Sequence, residues 1–491
     1  MLHNAIESFQ NGRFSEAKSY CQKILADQPG NTDVLHLMGV LEYKLGEMER
    51  ARETLGRVLA AEPKSAEVHY NLAKVLHDMG RLDEALLSYQ QSVSINPELD
   101  YAHYNIGLIY VGWGETRKAA AAFQQALRVN PNDSDYYFNL GNVYKRLEEF
   151  DHAIECYQNA IELNPGAPEP YNNLGIIFKE LGKYEQAITL YGRAAEIRPD
   201  YPEAHYNTGN VYEEIGDLKA AANSYEQAIA LKSDYSEAYN NLGNVYNLLG
   251  DREKAVAAYE CSVKLDESCF LARHMLNSLT GKTSQAAPVE YVKNLFDKAA
   301  CDFEQRLVQD LKYNSPAELR DILSALIDDS RRFENVVDLG CGTGLSGQAF
   351  HDRAKRMVGV DISVKMLGKA ESKTIYAELS ESGVLEFLEK TAEKYDLFVA
   401  ADVLVYIGDL MPLFENIQAC SMPGAYFLFS VEGLSEGSYS IRKTGRFAHS
   451  KAYILQLAEK NNFVVEACQP TVVRLENDQP IEGMNFALRR I

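Results

Sequence analysis

Residues 134–167 read SDYYFNLGNVYKRLEEFDHAIECYQNAIELNPGA, and residues 168–201, PEPYNNLGIIFKELGKYEQAITLYGRAAEIRPDY, repeat the pattern position by position. Carried in both directions, the register puts alanine at Ala17, Ala51, Ala85, Ala119, Ala153, Ala187, Ala221 and Ala255, each 34 residues after the last. A small residue keeps step at Gly39, Ala73, Gly107, Gly141, Gly175, Gly209 and Gly243. Proline closes the units from Pro29 to Pro199, until Ser233 and Glu267 take its place. A fixed period of this length is the mark of stacked helical units that bury their apolar faces on one another. Each unit predicts two antiparallel amphipathic helices. The small residue and the alanine let them approach, aromatics such as Tyr144 and Tyr157 fill the space between them, and proline stops the second helix. The count is eight units, the first truncated, with a capping helix near Phe270–Leu279.

These columns resemble the tetratricopeptide repeat (TPR) over residues 1–269, which implies an all-α superhelix whose first helices face the concave side. Asparagine recurs at the same period in those helices, at Asn71, Asn105, Asn139, Asn173, Asn207 and Asn241, with Asn142, Asn210 and Asn244 one turn further on. An asparagine amide can accept from a peptide N–H and donate to its C=O. A ladder of amides can therefore hold an extended protein or peptide partner with little regard to its side chains, and the column is similar to the asparagine ladder in the TPR superhelix of O-linked N-acetylglucosamine transferase. The same asparagines can instead bond within the scaffold, and both readings stand at this point.

Residues 280–290, TGKTSQAAPVE, break the period and read as a linker between a repeat domain, 1–279, and a second domain, 291–491. Within the second, 291–327 predicts one or two amphipathic helices. Strand-like runs at 336–339, 357–360, 397–400 and 426–429 then alternate with helical patterns at 345–354, 363–372, 382–394 and 410–420. Such alternation predicts a mostly parallel sheet covered on both faces.

After the first of these strands stands Asp338-Leu339-Gly340-Cys341-Gly342-Thr343-Gly344, and the second strand ends in Val360-Asp361. Glycines let the backbone turn tightly and approach a ligand without Cβ atoms in the way. An acid about 20 residues further on can accept the ribose hydroxyls of a nucleoside cofactor. The spacing Gly342-x-Gly344-x-x-Gly347 also satisfies the dinucleotide fingerprint. Three features favour another cofactor: the acid-x-Gly-x-Gly-x-Gly form, the continuation Asp361-Ile362-Ser363-Val364-Lys365-Met366-Leu367, and a strand pair at 463–467 and 485–489. Together they resemble class I methyltransferases, a Rossmann-like α/β fold using S-adenosylmethionine. Further on, Ala401-Asp402-Val403-Leu404-Val405-Tyr406 is similar to motif IV of that fold, and Leu295-Phe296-Asp297…Phe303 is similar to its cofactor-covering entry helices. With Gly445-Arg446-Phe447-Ala448-His449-Ser450, the whole chain resembles the bacterial group of predicted TPR-containing methyltransferases.

Carried over, the resemblance implies that Gly340, Gly342 and Gly344 pass under the cofactor and that Asp338 helps hold its methionine amine. Asp361 binds the ribose, Ile362 and Met366 lie by the adenine, and Glu381 meets it from the third strand. Motif IV points Asp402, also close to the cofactor, and Tyr406 towards the methyl group. Beyond the resemblance, the acceptor stays open between a carboxylate, an amine and a hydroxyl; from the C-terminal loop Arg446 can orient a carboxylate by a two-pronged hydrogen bond and His449 can act as a base, or the two form a surface pair. Cys341 is a bystander in the loop.

Two functions remain open from sequence: an enzyme that recruits a polypeptide through the repeats and methylates it, and a scaffold whose catalytic domain acts on a small metabolite. A protein that binds the cofactor without turnover is a third. Net charge is −21, with 25 basic and 40 acidic residues in the first 280 and 24 and 30 in the rest. Neither part carries the basic surplus that nucleic-acid binding uses. No run reaches the ~20 apolar residues of a membrane span. The eight cysteines show no metal-ligand spacing, so no metal is expected. Free thiols fit a cytoplasmic protein.

Overall fold

The structure, a computed structural model, describes residues 1–300, 303–305, 313–476 and 479–491, and these form two compact units, Met1–Leu231 and Lys232–Ile491. The first is all-helical, running from Leu2–Gln10 to Leu218–Leu231 as successive antiparallel pairs such as Ser134–Arg146 with Phe150–Leu163. The period has a steric cause. A Cβ on Gly107 would stand 2.5 Å from Phe123, one on Gly141 2.8 Å from Tyr157, and one on Gly175 2.6 Å from Tyr191. From Gly107 to Gly243 each glycine of the column is thus the seat of a ring carried by the second helix, and those rings are buried, while Gly39 seats Leu55 instead. The alanine column is fully buried along the unit, which keeps the helix axes close. Where the turn between paired helices lacks glycine, Glu148 adopts the left-handed conformation itself, at φ 60°.

The asparagine column is half-buried and bonded within the scaffold on its donor side. Asn71 Nδ2 lies 2.8 Å from His36 Nε2, and Asn105 Nδ2 donates to Tyr101 O at 2.6 Å. Asn139 Nδ2 donates to Asp135 O at 2.9 Å and to Tyr104 Oη at 3.0 Å. Asn173 and Asn207 donate to the side chains of Asn142 and Asn172 at 2.8 and 2.9 Å. Among the described residues, no partner takes up Oδ1 of Asn71, Asn105, Asn139 or Asn207. Asn241, in the second unit, accepts from Asn240 at 3.3 Å.

The second unit begins with the last helical pair, Ser236–Leu248 and Arg252–Leu265, and the cap helix Phe270–Thr280, ended by Gly281 at φ 75°. The expected linker lies inside this unit and is bonded to it. Gln285 O accepts from Gly408 N and Asp409 N, both at 2.8 Å, and Ala287 N donates to Tyr406 O at 2.9 Å. Helix Val289–Ala299 follows; of the helical entry expected at 291–327, residues 301–302 and 306–312 lie outside the described residues.

The sheet contains β1 (Phe333–Leu339), β2 (Ala354–Asp361), β3 (Glu378–Glu381), β4 (Tyr395–Ala400), β5 (Ser421–Leu434), β6 (Tyr439–Ile441), β7 (Phe447–Ser450), β8 (Phe463–Glu476) and β9 (Gln479–Arg490). Its order is β3-β2-β1-β4-β5-β7-β6, and β9 pairs antiparallel with both β5 and β8. The first five strands are parallel, and the apolar runs of β1, β2, β4 and β5 suit a sheet buried on both faces, with the polar β3 at its edge. The order reverses between β1 and β4, which is where doubly wound sheets form ligand crevices beyond the strands' carboxyl ends. The closing strand pair is longer than the sequence pattern indicates, and β6–β7 adds a hairpin whose β7 extends β5 through Glu432–Leu434.

Candidate active site

Strand β1 delivers the glycine loop. Gly340, Gly342 and Gly344 have φ of 71°, 53° and 93°, a region that side chains with a Cβ rarely enter. Gly340 N and Cys341 N donate to Val360 O at 2.8 and 2.9 Å, tying the loop to the end of β2. Asp361, the last residue of β2, completes the tie: Oδ2 accepts from Gly342 N and Oδ1 from Ser363 N, each at 2.9 Å. Burial raises its pKa against the pull of these N–H groups. Behind the loop, Asp338 is 1% exposed; Oδ2 accepts from Tyr376 Oη at 2.6 Å and Oδ1 has no partner among the described residues. Burial, with the Asp361 charge nearby, pushes its pKa up to about 7 although the Tyr376 hydroxyl works the other way.

In front of the loop lies a cavity of about 630 Å³. Helix Val289–Ala299 crosses it, with Lys293 Nζ 3.0 Å from Glu381 Oε1 and Asp297 Oδ1 accepting from Ser363 Oγ at 2.5 Å. The wall opposite β2 is the segment after β4. Asp402 there has φ 58°, unusual for a residue with a Cβ and costing about 1 kcal/mol. Asp402 N donates to Ser430 Oγ at 2.8 Å, and Asp402 Oδ1 lies 3.2 Å from Arg474 Nη1. Arg474, from β8, also pairs with the buried Glu432 of β5. Tyr406 closes this end, its hydroxyl accepting from Arg446 Nε at 3.3 Å and its ring meeting Phe296 edge-on.

Comparison with known proteins finds families for both parts of the chain. The family described as "Methyltransferase domain" matches residues 311–466, and families described as "Tetratricopeptide repeat" or "TPR repeat" match segments from 8–75 to 236–269. The chain carries TPR repeats followed by a methyltransferase domain. The domain is 27% identical over 100 residues to a ubiquinone biosynthesis O-methyltransferase of Coxiella burnetii, covering 20% of this chain and 43% of that protein. It is 28% identical over 119 residues to malonyl-[acyl-carrier protein] O-methyltransferase 2 of Ilyobacter polytropus, covering 23% and 46%. The chain thus spans under half the length of these relatives. Among solved structures, MamA is similar at 27% identity over 33% of this chain and 95% of its own, with a TM-score of 0.32. YrrB, titled a TPR protein with an unusual peptide-binding site, is similar at 22% identity over 38% and 96%, with a TM-score of 0.33.

Of the residues singled out by sequence, the methyltransferase domain brings Gly340, Gly342, Asp361, Ile362, Glu381, Asp402, Tyr406 and Arg446 to the cavity wall. Asp338 stands behind the loop. Gly344 faces Tyr376, 3.3 Å from where its Cβ would be, and Met366 is fully buried beside Ser363, so both support the wall from behind. His449 does not reach the cavity. It is fully buried, and its Nε2 donates to the carbonyls of Ile407 and Gly408 at 2.9 and 3.0 Å. Burial lowers its pKa to about 4, so it is a neutral clamp on backbone rather than a base within reach of substrate. Sequence reasoning missed Tyr376, Arg474 and Glu432, which belong to no short motif. It placed Asp297 in the covering segment without a partner and missed Lys293, whose i, i+4 spacing from Asp297 on one face of that helix was the available signal.

Proposed function

We propose that the methyltransferase domain binds S-adenosylmethionine in this cavity and that the TPR array recruits a polypeptide for it to methylate. The observation that carries the cofactor assignment is the fit of the site to a cationic nucleoside. The glycine loop leaves a cradle where a Cβ on Gly340 would collide with Val403 at 2.4 Å, and Asp361 keeps lone pairs beyond the two amides it already accepts. An orphaned carboxylate oxygen on Asp338 behind the same loop suits a positive charge in front of it. Gly340 and Gly342 would pass under the ligand, Asp361 would hold the ribose, and Ile362 and Glu381 would flank the base. The bound cofactor would supply a methyl group made electrophilic by the adjacent sulfonium. The domain's own part is to align an acceptor between Asp402, Tyr406 and Arg446 and to keep water out beneath the covering helix.

Recruitment rests on the asparagine column. Its donors are engaged, but Oδ1 of Asn71, Asn105, Asn139 and Asn207 remains able to accept from the N–H groups of an extended chain. The malonyl-[acyl-carrier protein] relative, whose acceptor is named on a carrier protein, fits this reading. The ubiquinone relative favours the alternative of a small acceptor with the array as scaffold. We place the chain in the cytoplasm; among the described residues no helix is long and apolar enough to cross a membrane.

The test is transfer of labelled methyl from S-adenosylmethionine in an extract of the source cells, resolved into protein and small-molecule fractions. Label in discrete protein bands should vanish with Asp361→Ala. It should fall at least tenfold when Asn71, Asn105, Asn139 and Asn207 are replaced together by alanine. Label confined to small molecules would overturn recruitment, and no label despite cofactor binding would overturn the enzyme itself.

A further inference from the structure

We infer that the methyl acceptor is a carboxylate, held by the guanidinium of Arg446 at the Tyr406 end of the cavity. The inference rests on the methyltransferase reading above and narrows it to one acceptor class.

Arg446 lines the cavity and is partly buried, yet among the described residues it has no carboxylate within ion-pair distance. Among the described residues its side chain makes one hydrogen bond, from Nε to Tyr406 Oη at 3.3 Å, with the guanidinium carbon 5.8 Å from the ring centroid. Among the same residues the two Nη groups of this cavity-lining side chain have no partner, and such a planar fork takes a carboxylate through two parallel hydrogen bonds. The neighbouring arginine differs. Arg474 is 2% exposed and already faces both Asp402 and Glu432. Asp402 and Glu432 pair directly with Arg474 and reach Arg446 only through space, while the group bonded to the Arg446 guanidinium among the described residues is the Tyr406 phenol. A cation withdrawn from water in this way gains from a counter-ion, and an incoming anion supplies one.

The groups around it fit an acceptor that has no proton to lose. Asp402 is held by Arg474. Burial keeps the Tyr406 hydroxyl protonated by raising its pKa, with Asp402 adding to the rise and Arg446 opposing it. His449 faces the backbone of Ile407 and Gly408. Glu381 and its neighbours follow β3, which β2 and β1 separate from β4. An alcohol in front of Tyr406 would need one of these to take its proton, and an amine would have to arrive already neutral beside the Arg446 cation. With a carboxylate, an oxygen lone pair forms the new O–CH3 bond while the methyl–sulfur bond breaks and its electron pair passes to sulfur. A methyl ester and a neutral thioether result, and no proton is released.

The orientation of Arg446 is itself built. The preceding residue, Gly445, has φ 79°, and its carbonyl accepts from Nε2 of the buried His274 on the cap helix at 2.8 Å. A Cβ on Gly445 would stand 2.9 Å from Tyr291 Oη. His274 is thus a positioning residue that fixes the backbone next to the guanidinium.

The deciding measurement is the chemistry of the product. Extract labelled through the full-length protein is treated with mild alkali and volatile label is collected. Carboxyl methyl esters release labelled methanol, whereas N-methyl and ether products do not. We expect most of the label to be released, and Arg446→Gln to lower transfer roughly 100-fold, the effect of losing a charged two-pronged contact. Its affinity for S-adenosylhomocysteine should stay within about threefold. A readout free of turnover uses N-acetylglutamate amide as the probe. On protein loaded with S-adenosylhomocysteine it should bind in preference to its glutamine counterpart, and Arg446→Gln should abolish the preference. Alkali-stable label, or no preference for the acid over its amide, overturns the carboxylate assignment and leaves the methyltransferase reading standing. Absence of any label overturns both.

Discussion

Replacing Asp338 with asparagine should stabilise the methyltransferase unit at pH 8 and weaken cofactor binding at the same time. In the folded protein burial raises the Asp338 pKa from 3.8 to about 7. At about 1.4 kcal/mol per pH unit, holding it ionised costs the empty domain at most about 4 kcal/mol. The sign follows from proton binding. Between pH 4 and 7 the folded chain holds this proton more tightly than the unfolded chain, so the stability it contributes is present at low pH and lost as pH rises towards 7. Asparagine does not titrate and can still accept from the Tyr376 hydroxyl. From pH 5 to pH 8 the wild type should therefore lose about 2.5 kcal/mol relative to Asp338→Asn. Other titrating groups are common to both chains and cancel. The assay is thermal or urea unfolding at both pH values, followed by circular dichroism. The single tryptophan, Trp113, sits in the repeat unit and serves as an internal control, since its fluorescence transition should be the same in both chains. The expected reward for the wild-type acid is affinity, with Asp338→Asn binding S-adenosylhomocysteine at least tenfold less tightly. A stability gap of equal size at pH 5 and pH 8 would refute the reasoning.

Three further outcomes follow from the geometry. Gly340→Ala places a Cβ 2.4 Å from Val403 at a φ of 71°; it should destabilise the second unit by about 2 kcal/mol or more and abolish cofactor binding by calorimetry. In the array, Gly175→Ala would set a Cβ 2.6 Å from the Tyr191 ring and should cost about 1–3 kcal/mol, read by Trp113 fluorescence during urea unfolding, with cofactor affinity unchanged. His274→Phe keeps a ring but removes the donor to Gly445 O; amide exchange over 442–447 should accelerate at least tenfold while that of 336–342 is unchanged, and His274→Gln, which keeps a donor, should recover most of the protection.

The array was the most legible part of the chain because its period is imposed by sterics. A ring on one helix needs a seat without bulk on its partner, so Gly107 with Phe123 and Gly141 with Tyr157 must recur together, and that coupling is visible as a column. The loop from Asp338 to Gly344 was legible for a similar reason, since only glycine takes its positive φ values beside Val403. Function in the asparagine column was less legible: sequence left open whether the amides hold a ligand or bond within the scaffold, and their donor side makes scaffold bonds such as Asn207 to Asn172. The same limit applies to His449. A histidine next to a candidate arginine looks catalytic in sequence, but burial and two backbone carbonyls decide its protonation and direction, and neither is written in local spacing.

The two ends of the cavity differ in what holds them, and this explains why residues of both were named from sequence while the supports of only one were. The cofactor end is held by residues close in the chain, Gly340 to Gly342 against Val360 and Asp361, so a short motif captures it. At the acceptor end the supports are distant. Tyr406 is fixed through its carbonyl by Ala287, Gly408 and Asp409 by Gln285, Asp402 by Arg474, and the Gly445–Arg446 turn by His274. Residues that read as a tether, 285–287, are bonded directly to the backbone of the catalytic wall, and Gly408 leaves no room for a Cβ against Ser284 O and Gln285 O. On the proposed reading, acceptor choice would depend on how one arginine and one tyrosine are aimed, and His274, Gln285 and Ala287, from a stretch without a chemical motif of its own, bond the backbone around them. Substitutions there should therefore change which acceptor is methylated before they change whether the cofactor binds.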